Sequence, residues 1–165
     1  MPVFRTDSTL GRGVRRMATS TTFRKVGPKV VPPMDRALNR LTKGRFVLSQ
    51  LLVPSLVLTT TGRTSGLPRE APLACVPADG GWYVVGSNFG REKHPAWTGN
   101  LLALPQASVT FEGTVTEVDA RLLSPAEKAD RWTSLTEAWP AYDDYVEVSG
   151  RDLRVFHLTP AGSDA

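Results

Sequence analysis

The stretch Ser55-Leu56-Val57-Leu58-Thr59-Thr60-Thr61-Gly62-Arg63-Thr64-Ser65-Gly66-Leu67-Pro68-Arg69 passes from an apolar, β-branched run into a turn that holds two glycines, several hydroxyls and two arginines. The run reads as a strand. Gly62 and Gly66 allow positive φ and a close approach of backbone to a ligand. Exposed N–H groups, hydroxyls and arginine forks together favour an anion, above all a phosphate. The same residues also suit an ordinary hairpin turn with surface arginines, and composition alone does not separate the two.

Outward from this turn the chain reads as a β-rich body with helical insertions. Val53–Thr61, Glu70–Val76 and Trp82–Gly86 have strand character, with the Pro77-Ala78-Asp79-Gly80-Gly81 turn joining the last two. His94–Leu104 has a helical pattern, entered at Pro95 and ended by Pro105. Ala107–Phe111 and Val115–Leu123 form a hairpin around Glu112-Gly113. Ser124-Pro125-Ala126-Glu127 has Ser at the N-cap, Pro at N1 and Glu at N3, and starts a helix that runs to about Trp139. A short helix through Tyr142 and Tyr145 and a closing strand, Leu153–Leu158, complete the set. The fold class is mainly β with α insertions: about six antiparallel strands in a small closed or half-closed barrel.

Charge is unevenly spread. Residues 1–46 hold eleven Lys/Arg against two Asp, and the remainder nine Lys/Arg against fourteen Asp/Glu. Residues 1–22 therefore read as a mobile basic arm, and 23–165 as a single folded domain. Apolar residues at Met34, Ala37, Leu38 and Leu41 give a helix with a basic outer face, suited to docking on the body or to peripheral contact with a membrane surface. The arm lacks interleaved aromatics and the body is acidic, which argues against nucleic acid. No apolar run has the roughly 18 residues of a membrane span, and the N-terminus lacks the apolar core of a secretory signal. Cys75, the single cysteine, lies in an apolar strand and reads as a buried filler.

Three more segments are candidates for chemistry. Gly86-Ser87-Asn88-Phe89-Gly90 follows a strand and is small and polar enough to approach a flat or charged ligand, or to be a simple turn. Lys93-His94-Pro95-Ala96-Trp97 places His94 as a cap or surface group and Trp97 as core or ligand platform. Trp139-Pro140-Ala141-Tyr142-Asp143-Asp144-Tyr145 spaces three large aromatics three residues apart, as a pocket wall or as packing, with Asp143-Asp144 a solvated pair. His94 and His157 lie far apart without Cys or Glu at ligand spacing, so no metal site is expected. Without a Walker motif, a GxGxxG or a GxSxG elbow, an enzyme of this sequence needs a cofactor to carry its reaction.

Val57–Arg69 resembles the TTGRxSGxxR signature of the deazaflavin (coenzyme F420)-dependent nitroreductase family, found above all in actinobacteria. Gly86–Gly90 through His94-Pro95-Ala96-Trp97 and Asn100-Leu101 resembles its ASxGG…HPxWxxNL block. Val109-Thr110-Phe111 is similar to its VTV strand, and Trp139–Tyr145 to its YPxYxxYQ segment. The likeness covers roughly Phe23 to Pro160.

The resemblance implies a split β-barrel of the type that also binds flavin mononucleotide. It implies a deazaflavin whose phosphate tail is held by Thr61, Gly62, Arg63, Thr64, Ser65, Gly66 and Arg69, with Pro72, and whose ring lies beside Gly86, Ser87, Asn88, Phe89, Gly90, Ala96 and Trp97. Trp139, Tyr142 and Tyr145 would border the substrate, and Tyr142, Tyr145 or Ser87 would stabilise or protonate the reduced product. The implied activity is hydride transfer from reduced F420 to a quinone, an activated double bond or a nitroaromatic; the enzyme is expected to be cytoplasmic, with its basic arm either ordered over the cofactor or touching the inner face of the membrane. A deazaflavin carrier without turnover and a flavin-mononucleotide enzyme are the alternatives. A dimer is common for such barrels, but the chain shows no clear interface. In departures from the family pattern, Thr64 stands where many members carry Lys or Arg, Asn88 where some carry Lys, and Trp139 in place of a tyrosine. Thr98 and Gly99 replace larger residues, a change expected to open the site.

Overall fold

The structure, a computed structural model, describes residues 53–139 and 141–162. The expected basic arm and the Met34–Phe46 helix lie outside the described residues. Six antiparallel strands close into one barrel: β1 (Ser55–Thr61), β2 (Pro68–Ala78), β3 (Gly81–Val85), β4 (Gln106–Phe111), β5 (Thr114–Leu122) and β6 (Val155–Pro160). Their order around the barrel is β1-β2-β3-β6-β5-β4, and β4 pairs back onto β1. Among the described residues a short 3-10 turn (Asn88–Gly90) and three α-helices interrupt the strands: α1 (Ala96–Ala103), α2 (Pro125–Ala138) and α3 (Ala141–Ser149).

The second strand is longer than its sequence pattern suggests, because it runs through Pro72 and Pro77. Its pairing shows why. Pro68–Ala74 pairs with β1, and Cys75–Ala78 pairs with β3. Each half thus has one ladder partner, and each proline has a side on which its missing N–H costs nothing. The change of partner at Ala74/Cys75 also turns the sheet towards closure.

Strand alternation sorts two cores. Leu56, Leu58, Val84, Val109, Val118, Phe156 and Leu158 point into the barrel. Trp97 and Leu101, one turn apart on α1, join them and anchor that helix to the barrel core. The intervening residues Tyr83, Val85 and Val155 point outward and meet Leu123, Leu135, Tyr142, Tyr145 and Leu153 beneath α2 and α3. Cys75 is buried as expected, and burial pushes its thiol up to about 12, far from a reactive thiolate.

The start of α2 has the capping box expected from its sequence. Ser124 Oγ accepts from the Glu127 amide at 3.3 Å, and the Ser124 amide donates to Glu127 Oε2 at 2.8 Å. The Ser124 amide, then Arg121, holds the Glu127 carboxyl down to about 2. Asp143 is not merely solvated: it accepts from Trp132 Nε1 at 2.7 Å and ties α3 to α2.

Candidate active site

The glycine-arginine turn joins β1 to β2 at one end of the barrel, where its residues and the first turn of α1 surround a cavity of about 500 Å³. Its walls are Gly62, Arg63, Thr64, Ser65, Arg69, Glu70, Ala71, Ala96, Trp97 and Asn100. Gly62 has no room for a side chain: a Cβ there would lie 2.6 Å from Ser65 Oγ and 3.2 Å from the Leu67 carbonyl. Gly66 has φ of 68°, in the left-handed region that favours glycine.

The turn is stitched to itself and to α1. Gly62 N–H donates to Leu67 O at 2.8 Å, Gly66 N–H to Gly62 O at 2.7 Å, and Leu67 N–H to Ser65 Oγ at 3.3 Å. Arg63 N–H donates to Asn100 Oδ1 at 3.1 Å. These four amides are therefore spent inside the protein, and the arginine forks and the hydroxyls are available to an anion. Arg69 Nη2 is steadied by Ser65 Oγ at 3.3 Å, and Arg63 Nη1 by the Ala96 carbonyl at 3.3 Å. Arg63 crosses α1 directly over Gly99, where a Cβ would fall 2.9 Å from its Cζ. Gly99 thus opens no space for ligand, because the Arg63 guanidinium fills it.

Asn100 is the hidden brace of the site. It is buried, accepts from Arg63 N–H, and donates to Thr60 Oγ1 at 3.0 Å. The signal for it is a polar residue between Trp97 and Leu101, both of which enter the core. Glu70 and Ala71 are the other cavity residues that the sequence pattern does not single out.

The Gly86–Gly90 segment follows β3 and is held apart from this cavity's lining, behind the start of α1. A Cβ on Gly86 would meet Thr98 Cγ2 at 2.7 Å. Asn88, Phe89 and Gly90 are all left-handed, with φ of 47°, 54° and 73°. Phe89 meets Tyr145 edge to face at 6.4 Å between centroids, and a Cβ on Gly90 would lie 3.2 Å from Cδ1 of the same ring. Arg151, just beyond α3, donates to the carbonyls of Gly86 and Arg91 at 3.0 Å and of Ser87 at 2.7 Å. Nothing local in the sequence marks Arg151, since its partners lie about sixty residues upstream.

Tyr142 and Tyr145 are buried in the outer core rather than in the cavity wall, and Trp139 packs against that core. Burial pushes the Tyr142 phenol well above its ordinary value, so it stays protonated. Of the residues expected at the cofactor, the structure brings Gly62, Arg63, Thr64, Ser65, Arg69, Ala96 and Trp97 to one cavity. Ser87 to Gly90 and the two tyrosines form a second group, joined through Phe89 and Gly90.

A family model of F420H2-dependent quinone reductases matches residues 34–160. The chain belongs to that family. This reductase is 29% identical over 108 residues to a Mycobacterium tuberculosis protein (strain H37Rv) named for F420H2-dependent quinone reduction, a match over 66% of this chain and 91% of that one. It is 36% identical to the solved F420H2-dependent reductase FDR-A, with a TM-score of 0.59 over 64% of this chain and 93% of that one. A structure described as a domain-swapped dimer is 32% identical, with a TM-score of 0.62 over 74% of this chain and 94% of that one. The F420H2-dependent reductase is an oxidoreductase of the split-barrel type, and coenzyme F420 is its cofactor. The cavity fits such a molecule: two guanidinium groups and two hydroxyls stand ready for an anionic tail, beside the indole of Trp97.

Proposed function

We propose that this reductase transfers a hydride from reduced F420 to a quinone, with the cofactor's phosphate tail on Arg63 and Arg69 and its ring beside Trp97 and towards the Ser87–Gly90 segment. The observation that carries this reading is the cavity itself, in which both arginines, each steadied by a neighbour, share one wall with Trp97. Reduced deazaflavin supplies the hydride and its electron pair. The protein's own residues bind, orient and exclude water.

In this scheme Thr61, Gly62, Thr64, Ser65, Gly66 and Pro72 shape the tail site, and Gly86 to Gly90 with Ala96 border the ring. Trp139, Tyr142 and Tyr145 back the Gly86–Gly90 segment on the acceptor side, through Phe89 against Tyr145. A proton must reach the reduced acceptor, and Tyr142, protonated at neutral pH, is one source; Tyr145 and Ser87 are the others on the same side. Enones and nitroaromatics are further acceptors of the same electronic type. No helix among the described residues is long and apolar enough to cross a membrane. The basic arm, residues 1–22, is proposed to bring a cytoplasmic enzyme to the inner membrane face, where apolar quinones reside.

An anaerobic acceptor screen tests the activity. Enzyme and reduced F420 are mixed with a quinone, an enone or a nitroaromatic, and the return of oxidised-deazaflavin absorbance is followed. Rapid return with the quinone is expected. Tight cofactor binding without turnover across the panel would make the protein a deazaflavin carrier instead.

A further inference from the structure

The Gly86–Arg91 segment is in a conformation that its own sequence resists. Asn88 and Phe89 are both left-handed, and Phe89, with ψ of 36°, lies squarely in the region that side-chain-bearing residues avoid. Two consecutive such residues persist only where the surroundings over-determine them. On one side α3 supplies packing through Tyr145. On the other, beside the bond from Asn88 Nδ2 to Lys93 O at 2.8 Å, stands the guanidinium of Arg151. Arg151 places Nε on Arg91 O, Nη1 on Gly86 O and Nη2 on Ser87 O, and so grips the backbone both before and after the strained residues. A planar fork can make these bonds together; an ammonium cannot.

The same Nη1 lies 2.9 Å from His94 Nδ1. Arginine has no acceptor, so Nδ1 must accept, and His94 is neutral with its proton on Nε2. The charges facing His94 are Arg151, Arg154 and Asp152, with Lys93 next to it in the chain. Asp152 is itself paired with Lys128. Burial, then Arg154 and Arg151, hold the imidazole below its ordinary value of 6.5, against the pull of Asp152.

We infer that Arg151 is the positioning residue that holds the Gly86–Arg91 segment in the shape that receives the deazaflavin ring, and that His94, accepting from the same guanidinium, ties this shape to pH. The inference rests on the proposed seat of the ring. Arg151 acts through the backbone it grips. As pH falls below 6.5 and through the depressed value of His94, the imidazole becomes a donor facing a donor, the bond that steadies Nη1 is lost, and the grip is weakened.

The test uses the full-length protein and two variants, Arg151→Gln and Arg151→Lys. Amide hydrogen exchange without cofactor is read at Gly90 and Arg91, whose N–H groups bond to Ser87 O and Asn88 O. Exchange there should quicken about tenfold or more in Arg151→Gln, less in Arg151→Lys, with β1 and β4 unchanged. Unchanged exchange in the segment, or equal loss of protection throughout the barrel, would overturn the inference. Fluorescence titration with F420 should then show about tenfold weaker binding in Arg151→Gln. Unchanged affinity despite a loosened segment would refute the ring-positioning role. If the unsubstituted protein fails to bind F420, the reading of the site falls with that role, and exchange still decides the clamp. Lowering pH should weaken F420 binding in the unsubstituted protein more than in His94→Asn, whose amide oxygen accepts at any pH. Parallel profiles would remove His94 from the account.

Discussion

Replacing Gly99 by alanine separates the stability of α1 from the geometry of the site. The added Cβ would lie 2.9 Å from Arg63 Cζ and closer still to Nη1, so the guanidinium must move. Two effects on stability oppose. Alanine in place of glycine within α1 gains about 1 kcal/mol. Loss of the exposed 3.3 Å bond from Arg63 to Ala96 O costs about 1 kcal/mol, discounted for solvent screening. The net change is about zero. Cofactor affinity has no such offset, because a displaced Arg63 forfeits a charge-assisted bond to the phosphate tail, worth about 1.5–3 kcal/mol, or roughly tenfold to a hundredfold in Kd. The assay is a double-mutant cycle with Arg63→Ala, read by F420 fluorescence titration beside urea unfolding. Gly99→Ala should weaken binding in the parent protein and have no further effect in the Arg63→Ala background. An equal loss in both backgrounds, or none in the parent, would refute the role given to Arg63.

Other perturbations follow from the same geometry. Asn100→Leu strands Arg63 N–H and removes the donor to Thr60 Oγ1, and should lower stability by about 1–3 kcal/mol; an unmoved urea midpoint would contradict the brace. Burial of His157 against Tyr83 depresses its imidazole, so the unfolded chain binds the proton more readily. Stability should therefore decline as pH falls below 6.5, and the decline should be shallower in His157→Phe; identical slopes would show that His157 does not titrate on unfolding. Tyr142→Phe should lower turnover with little change in F420 affinity, and equal turnover would leave Tyr142 a packing residue.

Much of this was legible in sequence for local reasons. The Ser124–Glu127 capping box and the β1 apolar run depend on near neighbours, and each element stands where its pattern puts it. The turn from Gly62 to Arg69 likewise shows its glycine demands in its own residues. What escaped were ties between distant parts of the chain. Pro77 resembles a strand end until the switch of β2 from one partner to another is known. Gly99 resembles an open space until Arg63, thirty-six residues earlier in the numbering, is seen lying across it. Arg151 resembles a surface arginine until its carbonyl partners assemble around it.

The most direct test of the central claim is fluorescence titration of the purified protein with coenzyme F420, with flavin mononucleotide as competitor. The Arg63–Arg69 cavity predicts saturable deazaflavin binding that the flavin does not displace and that Arg69→Ala weakens. Flavin binding in place of F420, or binding of neither, would contradict it.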